Sequence, residues 1–384
     1  MPPPGWPESA GPDTVRAGGG CGGGAPPRAG GGPPPEGGRC GVFGRPRDRA
    51  AATAVAFTAA CGGTGAEATG GKSVTVYSAD GLAGWYGKRF AEFTEQTGIA
   101  VNLVEAGSGE VVNRVTMEQN NPQADVLVTL PPFIQKAKSS GLLADSGIDT
   151  GAVPDADKDP DGQYVTLAEN YLCFIANPSV QTAGLTWDDL LKPEFKGKLQ
   201  YSTPGQAGDG TAVLILLQQL LGKQGALDYL AKLQANNVGP SSSTGKLQAK
   251  VDKAELLIAN GDIQMNLATI ADKGSKFSIF FPAAADGKRS TVAVPYVMGL
   301  SKTAPHQAEA KQLMEFLLSA PAQQTLAPEA FAVPARAELR TVPTGTEPSP
   351  SSLLAGVEVV PVDWNTVLTE LDGDIAAYQR ATGS

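Results

Sequence analysis

Four places in this chain set small hydroxyl residues and glycine just before a helical pattern. They are Ser78-Ala79-Asp80-Gly81, Gly107-Ser108-Gly109-Glu110, the run from Ser202 and Thr203 to Gly210 and Thr211, and Ser241-Ser242-Ser243-Thr244-Gly245. The chemistry they offer is anion capture. The first turn of a helix has unsatisfied N–H groups at its positive end, glycine lets the backbone come close, and Ser or Thr adds neutral donors, so no cation is needed. One such junction is commonly a plain N-cap; four in one chain point to a shared site. Glu110 adds a condition. A carboxylate beside an anion is repulsive unless the guest also carries a positive group. Glu110 therefore either works with Ser108 around a doubly charged guest or merely favours the start of its own helix. Asp80 and Asp209 have the same two readings, with the cap the simpler for both.

No comparable constellation supports turnover. The single histidine, His306, follows Thr303-Ala304-Pro305 at a helix start and reads as solvated. No GxSxG occurs, the glycines of 205–210 lack the Lys-Ser/Thr of a P-loop, and no His–carboxylate or Cys/His metal spacing is present. The sequence thus implies no cofactor, no metal and no enzyme. Downstream of Cys61 there are 24 Lys and Arg against 35 Asp and Glu, without a basic cluster, which excludes nucleic acid as a partner. No apolar run approaches the roughly 20 residues that span a bilayer.

The N-terminal region reads as targeting. The first 40 residues hold 13 Gly and 10 Pro, too little apolar material to offset ordering entropy. Arg45, Arg47 and Arg49 then precede a small apolar run that ends Thr58-Ala59-Ala60-Cys61. A basic stretch, a short apolar stretch and small residues before a cleavage point make an export signal. The Cys after them resembles a bacterial lipoprotein box, with Thr58 where the pattern has a larger aliphatic residue. Residues 1–60 are therefore expected to be a leader, translated from a start nearer Val42, with Cys61 the lipidated end and 61–72 a tether. Cys173, within Tyr171-Leu-Cys-Phe-Ile175, reads as a buried small hydrophobe, so no disulfide framework is expected.

The elements that must position the junctions follow from period and punctuation. Strands are expected at 73–78, 99–105 and 124–130, and helices at 82–96, from Gly107, and at 133–140, an alternation that argues an open α/β sheet. Further on, strand is expected at 165–176, 198–202, 263–268, 276–281 and 292–301. Helix is expected at 187–191, 211–221, 226–234, 246–260, 305–319, 322–326 and 364–380, with a loop at 343–350. Two α/β units result, joined near 165–176 and 292–301: residues 73–170 plus 292–330 in one, 171–291 plus 331–384 in the other. In open α/β sheets ligands bind beyond the carboxyl ends of strands, where the four junctions fall.

Several segments carry a family resemblance. SVTVYSADGL (73–82), VEAGSGEVVNR (104–114), NPQADVLVTLPPFIQKA (121–137), LKPEFKGKLQYSTPGQAGDGTA (191–212) and VPYVMGLSKTAPHQAEAKQLMEFLLS (294–319) resemble the 2-aminoethylphosphonate-binding lipoproteins of ABC importers. LKPEFKGK is shared by the wider class, ferric-iron and thiamine binders included; GSGEVVNR and ADVLVTLPPF are more specific. The resemblance implies a two-lobed periplasmic-binding-protein type 2 fold, with two hinge strands and a cleft between the lobes. It implies ligand contacts from Ser78, Asp80, Ser108, Gly109, Glu110 and the Leu130-Pro131 turn in the first lobe, and from Ser202, Thr203, Gly210, Thr211, Ser242, Ser243 and Asn266 in the second. Tyr171 and Tyr296, near the crossovers, reach either the cleft or the core. The function implied is capture of 2-aminoethylphosphonate by a monomeric lipoprotein on the extracytoplasmic face of the membrane, for delivery to an ABC permease and ATPase. Its rivals are another small anion, a polyamine or ferric iron in the same cleft, a secreted hydrolase, and a purely structural lipoprotein. Iron is the weaker because the eight tyrosines are never adjacent.

Overall fold

The computed structural model describes residues 72–340 and 347–383. The expected leader, Cys61, nearly all of the tether and residues 343–346 of the 343–350 loop lie outside these.

The chain opens with β1 (Ser73–Ala79), α1 (Ala83–Thr97), β2 (Ala100–Ala106), α2 (Ser108–Met117), β3 (Val126–Thr129) and α3 (Phe133–Ser139). β1 lies parallel between β2 and β3, with Val76 opposite Leu103 on one side and Val126 on the other. The four residues of β3 are all buried, as expected of a parallel strand covered on both faces. α1 buries Tyr86, Phe90 and Phe93, spaced by four and three residues along one stripe, with Trp85 next to Tyr86. Each such side chain contributes about 1.5–3 kcal/mol of transfer free energy. Gly98, in the left-handed region at φ 73°, ends the helix.

The same sheet later takes up β4 (Leu143–Ala144) and β5 (Tyr164–Glu169). The chain then crosses to a second sheet through β6 (Leu172–Ala176), β7 (Leu199–Gln200), α4 (Gly208–Leu233), α5 (Gln248–Asp252), β8 (Ile258–Asp262), α6 (Ile263–Lys273) and β9 (Ser278–Phe280). It returns by β10 (Arg289–Thr291) into β11 (Tyr296–Ser301), α7 (Gln307–Leu318), α8 (Ala320–Gln324), α9 (Leu326–Ala330) and β12 (Val333–Pro334), and ends with α10 (Pro350–Leu353), β13 (Val357–Val359) and α11 (Trp364–Thr382). The first sheet has the order β12-β5-β11-β3-β1-β2, with β4 also beside β11; the second is β7-β8-β6-β9.

The strand expected over 165–176 is thus two strands in two sheets, parted at Asn170-Tyr171. The return crossing runs alongside: Leu172 N–H donates to the Val292 carbonyl at 3.1 Å and Val294 N–H to the Asn170 carbonyl at 2.8 Å. These paired crossings are where two halves can bend relative to one another.

Two expectations fail in the second sheet. Residues 246–260 are not one helix: a short α5 gives way to β8, which pairs antiparallel with β6 and parallel with β7. Residues 263–268 are helix, not strand, because Asp262 Oδ1 accepts from Met265 N–H at 2.7 Å and starts α6. The division at residue 331 also shifts. β12 pairs with β5 in the first sheet, whereas α11 packs on α4 and the Tyr378 and Tyr201 hydroxyls meet at 2.9 Å.

Candidate functional site

The carboxyl ends of β1, β2 and β3 all lead to one edge of the first sheet. Asp80, Gly107-Ser108 and Leu130 stand there. From the opposite half come the start of α4 and the loop that carries Ser242–Thr244. Together they enclose a cavity of about 10 Å³, lined among others by Asp80, Ser108, Leu130, Gly208, Asp209 and Thr244. That is room for about one water, so the halves are shut on one another.

Closure is held by specific contacts. Ser243 Oγ donates to Asp80 Oδ2. Gly109 N–H donates to the Gln206 carbonyl at 2.8 Å. Gln264 Nε2 donates to the Gly81 carbonyl at 3.2 Å, and its Oε1 accepts from the Tyr296 hydroxyl at 3.0 Å. Gly107 lies so close to the Ser242 carbonyl that a Cβ would come within 2.1 Å of its oxygen.

The site combines neutral donors with negative charge. In the first turn of α4 the N–H groups of Gly208, Asp209 and Gly210 have no hydrogen-bond partner among the described residues, as helix geometry leaves them. The start of α2 lies across the cavity from them. Asp209 is buried, and its Oδ1 has no partner. Burial drives its carboxyl well above the usual range, reinforced by Asp262 and Asp80 and opposed by the Thr244 hydroxyl. Burial also raises Asp262, against the Met265 N–H that favours its charged form. Glu105 is raised by burial and then by Asp80. Among the described residues no Lys, Arg or His lines the cavity. A helix terminus can hold an oxyanion there, but the carboxylates make the space hostile to a guest without positive charge.

The expected residues divide into four groups. Asp80 and Ser108 line the cavity, while Gly109, Ser242 and Ser243 make or abut the contacts between the halves. Ser78, Ser202, Thr203, Gly210 and Thr211 form the frame behind. Ser78 Oγ donates to the Ala79 carbonyl, Ser202 Oγ accepts from Thr244 and Asn260, Thr203 Oγ1 accepts from Ser241 N–H, and Thr211 Oγ1 donates to the Ala207 carbonyl. Gly210 lets α4 press on its strand, since a Cβ would sit 2.0 Å from the Ser202 carbonyl oxygen.

Four residues fall outside the cavity lining. Glu110 Oε2 accepts from Gly107 N–H at 3.0 Å, so its carboxylate serves the start of its own helix. Asn266 is fully buried between the Asp262 carbonyl and Gln248. The Tyr296 hydroxyl is taken up by the Asp80 carbonyl and Gln264. Tyr171 packs against a cluster of the second half built on Cys173, Ile263 and Leu267. The residue underrated from sequence is Asp209, which in Ala-Gly-Asp-Gly-Thr had two readings, of which the helix start was the simpler.

A family of bacterial extracellular solute-binding proteins matches residues 74–331. The chain belongs to that family. It is 46% identical over 318 residues to a Salmonella typhimurium protein named "Putative 2-aminoethylphosphonate-binding periplasmic protein", covering 81% of this chain and 93% of that one. Among solved structures, the periplasmic binding protein P5PA superposes with a TM-score of 0.68 at 23% identity, and iron-bound HitA from Pseudomonas aeruginosa with 0.65 at 20%. Each covers 81% of this chain and 99% of the other. The fold of this solute-binding protein is thus the two-lobed type 2 periplasmic-binding-protein fold, and the halves described above are its lobes. No described helix is long and apolar enough to cross a membrane.

Proposed function

We propose that this solute-binding protein captures 2-aminoethylphosphonate between its lobes and delivers it to the permease and ATPase of an ABC importer, acting as a monomer held to the membrane by a lipid on Cys61. The observation that carries the ligand is the lining of the cleft, since the space of about 10 Å³ left between the shut lobes holds only a water and the guest needs them further apart. The cleft is walled by helix N-termini on two sides and by the carboxylates of Asp80 and Asp209, as a guest with one oxyanion and one ammonium requires. The 46%-identical relative named for this compound supports the same reading. The lobes part by bending at Asn170-Tyr171 and 292–295, the guest enters, and closure seats its phosphonate on the first turns of α2 and α4 beside Ser108. Charge-assisted bonds from N–H groups to an oxyanion contribute about 1.5–3 kcal/mol each, so a few of them, less the ordering cost, suffice for micromolar or tighter binding.

Isothermal titration of the mature protein with 2-aminoethylphosphonate, inorganic phosphate and Fe(III)-citrate tests the ligand. Heat with the first and little with the others is expected; no heat with the first overturns the assignment. Intact mass of the protein recovered from membranes tests the lipid on Cys61.

A further inference from the structure

Resting on the ligand reading above, we infer that Asp209, and not Glu110, is the residue that selects an ammonium-bearing guest. Asp209 is only 3% exposed, lines the cavity between the lobes, and leaves its Oδ1 without a partner. A carboxylate at a helix start ordinarily takes up the free N–H groups of that turn. Here that oxygen does not, although the N–H groups of Gly208, Asp209 and Gly210 stand unpaired beside it. A buried carboxylate is costly wherever the protein supplies no counter-charge and is then held toward its neutral form, and the groups around it supply none. Asp80 and Asp262 add negative charge, and Thr244 adds one hydroxyl.

The other acids of the site are already engaged. Asp80 Oδ2 accepts from Ser243, Asp262 Oδ1 from Met265 N–H, and Glu110 Oε2 from Gly107 N–H. Among these four, only Asp209 brings a fully buried, partnerless oxygen to the cavity wall. A guest ammonium there relieves the burial of that charge. A guest with a phosphonate and no ammonium adds a second negative group next to it and is rejected. Selectivity then comes as much from this repulsion as from attraction.

The test is titration of the full mature protein with a matched pair, 2-aminoethylphosphonate and ethylphosphonate, which differ by the amino group. The wild type should prefer the amino compound by about 100-fold or more, the scale of losing one partner of a buried charge pair. Asp209→Asn should bring the two within about tenfold by weakening the amino compound and not ethylphosphonate. Glu110→Gln should leave the ratio near its wild-type value. The melting temperature of Asp209→Asn without guest should hold or rise, since no hydrogen bond of that buried oxygen is lost; a helix cap would make it fall. A wild-type ratio retained in Asp209→Asn, a collapse of the ratio in Glu110→Gln, or a fall of several degrees in the melting temperature of Asp209→Asn overturns the inference. Absence of wild-type binding to 2-aminoethylphosphonate overturns instead the ligand reading on which it rests.

Discussion

Ser243 of the second lobe donates its hydroxyl to the carboxylate of Asp80 in the first, so one hydrogen bond spans the cleft at its cavity. Bonds to charged groups are worth about 1.5–3 kcal/mol when made. Ser243→Ala should leave the fold intact and weaken guest binding about tenfold, since only the closed form makes this contact. Titration of the variant with 2-aminoethylphosphonate measures it; wild-type affinity would show that the bond does not contribute to closure.

Gly107 allows a cleaner separation of folding from closing. Its backbone, at φ −60° and ψ 151°, is open to alanine, and the obstacle to a Cβ is the Ser242 carbonyl of the other lobe, at 2.1 Å. Gly107→Ala should therefore melt near the wild-type temperature and lose guest affinity by 100-fold or more. Small-angle scattering should show no contraction when guest is added. Normal contraction would mean that the lobes close in another register.

Tyr296 bears on stability instead. It is fully buried, and its hydroxyl serves the Asp80 carbonyl at 2.9 Å and Gln264 Oε1 at 3.0 Å. Tyr296→Phe removes that donor from two acceptors and should cost about 1–3 kcal/mol, several degrees of melting temperature. Calorimetry checks this, and an unchanged melting temperature would contradict the role.

Glu169 makes stability depend on pH near the hinge. It ends β5, one residue before the crossing, and burial lifts its carboxyl from 4.5 to about 7, aided by Asp157 and opposed by Arg340. A carboxyl whose pKa is higher folded than unfolded is neutral in both states below pH 4.5 and costs nothing there. As pH rises towards 7 the unfolded chain loses its proton first, so stability falls through that window and then levels, by an order of 3 kcal/mol. Glu169→Gln should melt above the wild type at pH 8 and equal to it near pH 4.5. A gap of the same size at both pH values would exclude this origin.

The sequence legibly carried the elements whose signal is local. The stripe of α1 before Gly98, the largely apolar run around β3 and the long final α11 need no partner to be read, because each carries its own local pattern. The hydroxyl- and glycine-rich junctions were readable as helix starts for the same reason. Ile263 to Ala268 misled because Ile263, Met265 and Leu267 alternate as a strand would, while the Asp262 cap that makes the segment helical depends on one hydrogen bond. Residues 258–260 look helical in isolation and become part of β8 by lying between β6 and β7.

By itself, then, the sequence determined the alternation of strands and helices. It also determined which loops bring N–H groups and hydroxyls to strand ends. Tertiary structure alone decided which carboxylate faces the cavity. Glu110 and Asp209 are both acids in the first turn of a helix, with equivalent local chemistry. One folds back to Gly107, whereas the other is enclosed when the second lobe meets the first, next to Asp80 from a segment 129 residues away in sequence. Burial, and the loss of water as a partner, is a property of that meeting, and no local pattern encodes it.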